Sequence, residues 1–421
     1  ENRKTEISGL SQVTAENYAG GIEGSAVTAN PIGILNTAIG IGSYLPFEVS
    51  GVNLIGADLN VHADKKYASG GMGLILGGTI QEVSLEEIAS VSAGNYAGGL
   101  AGRAGSGSLV KEGGLDLLGL GAVKVDNLLN LADGVQIGIS NTSVTGIQQG
   151  MTVDASGKAE LTDGESILAG GFISEAEGVQ IENAEISGLR QVTAQKQEGK
   201  ESYAGGFIGR SQTGGLAGIA QEGEDGSLTL PGILDVSSLL NLVPYLLPSY
   251  KNCQADFVTN GENPQVKGVY AGGFFGYMQS GQVENSESNP CGVSGLEKVS
   301  GEAYAGGFAG KADAGSTASS DGLKLLGGIL DLNIGALLNV LEVYVPTLTW
   351  AGVESAPKGF TVSASDPDGS AGGYMGRGSG VQIKNSDVTS LKHTKVTPPS
   401  DSLESDEGSS YFGTDSSYAV T

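Results

Sequence analysis

Tyr203-Ala204-Gly205-Gly206-Phe207-Ile208-Gly209 is the stretch whose reading decides the fold. It returns as Tyr270-Ala-Gly272-Gly273-Phe-Phe-Gly276 and as Tyr304-Ala-Gly306-Gly307-Phe-Ala-Gly310. Looser copies hold Tyr18 with Gly20-Gly21, Tyr67 with Gly70-Gly71, Tyr96 with Gly98-Gly99, Leu168 with Gly170-Gly171, and Ser370 with Gly372-Gly373. A phrase repeated this often makes the chain a repeat protein, and the repeat must be read before any local element.

The first glycines of alternate pairs lie 107 residues apart from Gly98 to Gly205, 102 from Gly170 to Gly272, 101 from Gly205 to Gly306, and 100 from Gly272 to Gly372. The unit is therefore about 100 residues long and carries the phrase twice. In its first half, short Val/Ile words precede the phrase: Ile7 to Ala15, Val83 to Val91, Ile186 to Ala194, Val293 to Val299 and Val381 to Val388. Alternation punctuated by Gly, Asn and Ser predicts brief strands and tight corners. In the second half an excursion intervenes, as in Leu230 to Leu242 and Leu326 to Val340, with shorter forms at Asp126 to Leu131 and Pro31 to Asn36. Leu330, Ile334, Leu337, Leu338 and Leu341 fall at intervals of three and four, the spacing of a short amphipathic helix. Strand-like returns follow at Leu59 to Val61, Met151 to Val153, Phe257 to Thr259 and Phe360 to Val362.

These features predict a mainly β fold: a parallel β-solenoid of four super-repeats (1–80, 81–180, 181–282, 283–393), with helical or loop excursions packed on its flank. Residues 394–421 read as an eroded or truncated repeat with a partly disordered tail, where Tyr411 or Tyr418 is the stub of another phrase. In such a coil Gly-Gly supplies backbone conformations, positive φ among them, that a side chain forbids. Phe207 and Ile208 are expected to point to opposite sides.

The chain has 421 residues, 71 of them Gly, and a formal net charge of -25. Glycine stands well above its average use of about 7%, yet regularly placed aliphatics argue for order rather than a flexible tract. The acidic balance argues against nucleic acid or anionic membrane as partner, since both call for clustered Lys and Arg. No uninterrupted apolar run reaches the length of a membrane span. Without an initiator Met or signal peptide, and starting inside a repeat, the sequence reads as a monomeric fragment of a longer mature chain.

The words at 203, 270 and 304 resemble the Gly-rich GLUG-type repeats of large secreted and surface proteins of bacteria, notably gut Firmicutes. The resemblance covers most of residues 5 to 392. It implies an extracellular stalk or adhesin on the bacterial surface, with a host glycoprotein or glycan as partner.

No set of residues points to catalysis. The two histidines, His62 and His393, sit in unrelated contexts, which disfavours a triad or a zinc site. Asp235 and Asp331 recur with the excursion, as helix caps would, and Asp366-Pro-Asp368-Gly reads as a polar turn rather than a calcium loop. The glycine words lack the Gly-Lys-Ser/Thr of a phosphate loop. No cofactor is implied. Arg103, Arg210, Lys311 and Arg377 follow the phrase as a loose basic column, suited to pairing with neighbouring carboxylates or to a ligand ridge. Cys253 and Cys291 could be a disulfide or two unpaired thiols; a spacing of 38 residues fixes no geometry. Tyr245, Tyr250, Tyr344 and Trp350 lie in the excursions and are of the residue types favoured at binding hot spots. They are the candidate contacts for the alternative function, a dedicated binder of immunoglobulin or mucin. A carbohydrate-active enzyme is the third class.

Overall fold

The computed structural model describes residues 5–27, 47–105, 137–157, 166–214, 221–222, 228–229, 247–258, 264–288, 290–314, 345–356, 359–389, 391–396 and 417–420. The excursion helix expected around Leu330 to Leu341 lies outside them, as do Asp235, Asp331 and Tyr411. Among the described residues there is no helix. The strands form one 31-stranded sheet and one two-stranded sheet.

Every pairing in the large sheet is parallel, and each segment pairs with its counterpart about one phrase later. The result is a series of rows: 5–27, 48–76, 78–105, 137–177, 179–212, 249–279, 282–313, 347–379 and 381–396. Tyr18 pairs with Tyr67, Tyr67 with Tyr96, Tyr96 with Leu168, and Leu168 with Tyr203. Tyr203 then pairs with Tyr270, Tyr270 with Tyr304, and Tyr304 with Ser370. A second column runs Ile7, Leu54, Leu85, Val144, Ile186, Ala255, Val293, Val353, Val388. A third runs Val13, Val61, Val91, Val153, Val192, Val266, Val299, Val362.

These columns change how the 100-residue unit is understood. The return at Leu59 to Val61 and the word Gln12-Val13-Thr14-Ala15 occupy the same register, so the two halves of the unit are equivalent rows. What distinguishes them is the connection to the next row. After Leu76, Glu177, Gln279 and Ser379 the chain passes straight on, turning at Gly77 and Gly78, Gly178, Ser280 and Gly281, and Gly380, all at positive φ. After Val27, Gly105, Gln212 and Asp313 it departs at the same corner and re-enters 20 or more residues later. Rows begin at 78, 179 and 282, so the boundaries expected after 80 and 180 fall inside the strands Gly78–Ala93 and Val179–Ala194. The boundary at 393 likewise falls inside Leu391–Val396. Tyr418 pairs with Val381 and so does not continue the phrase column.

The Gly-Gly pair makes a sharp corner for a reason other than the one expected. Neither Gly205 nor Gly206 has positive φ. A Cβ on Gly206 would lie 1.9 Å from the carbonyl oxygen of Gly273 in the next row, and one on Gly205 would lie 1.8 Å from the oxygen of Ile208. The close approach of backbone to backbone excludes every other residue. That corner also breaks the strand alternation, so Phe207 and Ile208 are both fully buried rather than on opposite faces. Phe172, Phe207, Phe274, Phe308 and Tyr374 stack one above the next in the core, with centroids 4.6 to 5.2 Å apart. Such pairs contribute about 1 kcal/mol each beyond their burial.

A second corner carries left-handed backbone at Glu82, Asn141, Asn183, Asn252, Trp350 and Asn385. Asparagine tolerates this conformation because its short amide bonds locally. Here the amides also form a ladder: Asn183 Nδ2 donates to Asn141 Oδ1 at 3.2 Å, and Asn252 Nδ2 to Asn183 Oδ1 at 2.7 Å.

Gly206→Ala is expected to lower stability by about 3 kcal/mol. Gly138→Ala, where a Cβ meets nothing within 4 Å, should stay within about 0.5 kcal/mol of the parent. Urea midpoints of the two variants check this; equal midpoints would remove close approach as the reason for glycine.

Candidate functional site

Outside the main core, the phrase and the strand after it meet at the Gly-Gly corner, and their outward side chains pack into a second cluster across the rows. Tyr203, one residue before the inward-facing Ala204, lies on one wall. Arg210, two residues after the buried Ile208, lies on the other, its guanidinium 5.4 Å from the Tyr203 ring centre. The register repeats this arrangement. One wall holds Tyr18, Tyr67, Tyr96, Leu168, Tyr203, Tyr270 and Tyr304. The other holds Leu74, Arg103, Glu175, Arg210, Tyr277, Lys311 and Arg377. Tyr67, Leu74, Tyr96, Leu168 and Tyr203 form an apolar cluster of their own, with Tyr270 and Tyr277 packed against it. Lys311 Nζ lies 4.7 Å from the Tyr277 ring centre, and the Arg377 guanidinium 5.3 Å from that of Tyr304.

The basic column is paired rather than free. Arg103 Nε stands 3.1 Å from Glu175 and its Nη2 donates to Glu177 at 2.8 Å. Arg210 pairs with the other oxygen of Glu175, and Lys311 with Asp313 at 2.9 Å. Arg377 donates to the Tyr304 hydroxyl. Glu175 sits buried between two arginines from the rows on either side, with 3% of its side chain exposed. The hydroxyls of Tyr203 and Tyr270 both donate to Glu201. Burial foremost, then the carboxylates of Glu175, Glu201 and Asp313, push the Tyr96, Tyr203, Tyr270 and Tyr277 hydroxyls well above their ordinary range. The cluster is thus aromatic and internally neutralised. Its most accessible rings are Tyr18, at 40% exposure, and the half-buried Tyr270, Tyr277 and Tyr304.

Other singled-out residues fall elsewhere. Tyr250 is no contact residue: it is fully buried, its ring edge-on to Phe275 at 5.0 Å and its hydroxyl donating to Ser211 at 2.6 Å. Its place near the end of a long connection suggests an outward position, but Ser249–Phe257 is a core strand. Trp350 is half-buried at the left-handed corner, its backbone N–H donating to the Lys384 carbonyl at 3.0 Å. Tyr245 and Tyr344 lie outside the described residues. The Asp366 carboxylate accepts the Asp368 N–H at 3.0 Å, an ordinary turn.

His62 is less isolated than its sequence context indicated. Its Nδ1 lies 2.8 Å from Ser92 Oγ and its Nε2 3.0 Å from Asp64 Oδ1, brought together by the His62–Ser92 register pair. A nucleophilic serine needs donors aimed at a developing oxyanion; Ser92 has Asp154 as its register neighbour on the other side, a charge that opposes one. Among the described residues no group of three or more His, Cys, Asp or Glu could hold a metal, and no helix is long and apolar enough to cross a membrane. No family model, curated protein or solved structure matches the chain.

Glu175→Gln leaves two partly buried guanidinium groups without their shared carboxylate and is expected to cost about 3 kcal/mol. Removing Lys65, paired with Glu16 where both side chains are more than half exposed, should cost about 0.5 kcal/mol or less. Chemical denaturation distinguishes the two. The tyrosines set an alkaline limit. Their folded pKa lies above the unfolded value of about 10, so above that pH the unfolded chain sheds protons that the folded chain keeps, and stability falls as pH rises. It should be unaffected by these groups below about pH 9, and tyrosinate absorbance should appear together with unfolding rather than before it.

Proposed function

We propose that the rows are successive turns of one continuous parallel β-solenoid, and that the chain is a non-enzymatic extracellular repeat module of a bacterial surface protein, working as a stalk or adhesin. The observation that carries this reading is the unbroken register of the phrase column from Tyr18 to Ser370, flanked by the Val and Ile columns. Chain that advances by one row per phrase, always in parallel and in the same register, winds about an axis. The GLUG-type resemblance supports the surface placement, and the acidic, sparsely charged composition suits a module in contact with water over most of its area.

The proportions favour adhesion over reach. At about 4.8 Å per row, nine rows extend roughly 40 Å. The long connections all depart from one corner of alternate rows, after Val27, Gly105, Gln212 and Asp313. Their points of departure recur once every two rows. The partner class is a host extracellular glycoprotein or glycan, and many weak copies on a surface act through effective concentration.

Two measurements test the two halves of the reading. Deleting residues 180–281 removes two rows and brings Gln282 to the register of Gln180, whose common neighbour is Ser249. The shortened chain should fold cooperatively with unchanged β-content per residue; loss of folding would overturn the solenoid. The intact chain, immobilised at high density, should retain mucin or immunoglobulin from mucosal secretions and lose it on dilution of the coating. Retention of neither glycoprotein at micromolar concentration would overturn the adhesive role.

A further inference from the structure

The strongest unused chemistry in the molecule is the pair Cys253 and Cys291. Gln254 pairs with Gly292, so the two cysteines occupy consecutive rows at one register position. Their column runs Ala184, Cys253, Cys291, Ala351, with alanine on either side. Both side chains are fully buried, and both thiols are free in this structure. The Cys253 N–H donates to Cys291 Sγ at 3.1 Å, which places that sulfur directly against the residue it would bond. The Cys253 thiol reaches the Lys251 carbonyl at 3.3 Å, and Cys291 Sγ lies 3.4 Å from Asn285 Oδ1.

We propose that Cys253 and Cys291 are a site of oxidative modification, closing to a disulfide that clamps two adjacent rows. Neighbouring parallel strands lie about 4.8 Å apart, within the Cα separation of roughly 4.4–6.8 Å that a disulfide spans. The bond would close a loop that is one complete row with its return, so it fixes the pitch of the ladder at that level.

The oxidant is a low-molecular-weight or enzymic disulfide. In the open chain either cysteine can react first; taken as Cys291, it gives up its proton and its thiolate attacks one sulfur of the oxidant, forming a mixed disulfide and expelling the first oxidant thiolate, which takes that proton. Cys253 then loses its proton and attacks Cys291 Sγ, and the second oxidant thiol leaves with it. Two cysteine thiols are oxidised and one disulfide is reduced to two thiols. Because both sulfurs are buried in the native rows, the exchange belongs to folding, before rows 249–279 and 282–313 close on each other.

The intact chain is refolded in a buffer of reduced and oxidised glutathione, and in parallel the already folded, reduced chain is exposed to the same buffer. The expected result is that refolded protein has no free thiol and has lost the mass of two hydrogens. The folded protein should react at least ten times more slowly. Melting of the refolded protein should then fall by about 5 °C on adding reductant, and Cys253→Ala/Cys291→Ala should show no dependence on reductant. Free thiols after refolding, or glutathione attached to both cysteines, would overturn the proposal. So would a melting temperature indifferent to reductant in the parent chain, a readout that stands even where the double variant fails to fold.

Discussion

The closest approach of main chain to main chain decides the rest of the structure. At the corners of Gly21, Gly70, Gly99, Gly171, Gly206, Gly273 and Gly307 the space where a Cβ would stand is taken by a carbonyl oxygen, 1.9 to 2.7 Å away, of the same corner one row on. Only glycine permits that contact, and the contact lets rows sit at ordinary strand spacing while the chain bends sharply. Once the corners are superposed, register is no longer free: Ala204 must lie above Ala271, and the ring at Phe207 must lie on the ring at Phe274. A slip of one residue would drive a side chain into backbone, a far larger penalty than the usual exchange of buried for exposed faces.

Two aromatic columns follow from one corner. The bend turns Phe207 into the core and leaves Tyr203 outside, so the same phrase supplies an interior stack and an exterior one. The interior column is dry and apolar. The exterior one is neutralised internally: its cations rest on tyrosine faces and on carboxylates of the same or an adjacent row. Glu175 between Arg103 and Arg210 is the clearest case, and it stands where the other rows carry a cation, leucine or tyrosine. A single carboxylate set between two arginines of the column ties three rows together.

The phrase column, the strand words and the doubling of the unit were legible in the sequence because each is a local word whose copies share length and spelling. Positions whose meaning arises only between rows were not. The left-handed corner is filled by Glu82, Asn141, Asn183, Asn252, Trp350 and Asn385 in turn; four are asparagine, but their unequal spacing in sequence hides the column until the register aligns it. Tyr250 looked like an exposed aromatic for the same reason: its row is entered after a long connection, which hides that it stands at the register of Ile181 and Val283. Phe207 and Ile208 do not alternate because alternation holds only within a strand: Phe207 belongs to the corner and Ile208 opens the strand after it. His62 seemed solitary in sequence, yet the residue 30 positions on is its nearest register neighbour.

Efficiency of construction bears on what such a fold is for. A helix gains about 1.5 Å of length per residue, whereas a row of about 28 residues here gains about 4.8 Å, and rows with long connections gain no more. An array of this kind is therefore a costly way to span distance and a good way to repeat a surface. Each added pair of rows brings another stretch of the tyrosine column and another departure point at the same corner, in an orientation that the Gly-Gly contact fixes to within a strand spacing. Selection for reach alone would favour shorter rows without connections. Keeping a connection in alternate rows, and direct glycine corners in the rows between, leaves two strand spacings of room for each connection. That spacing is what a surface needs if the connections are to meet a partner without crowding one another.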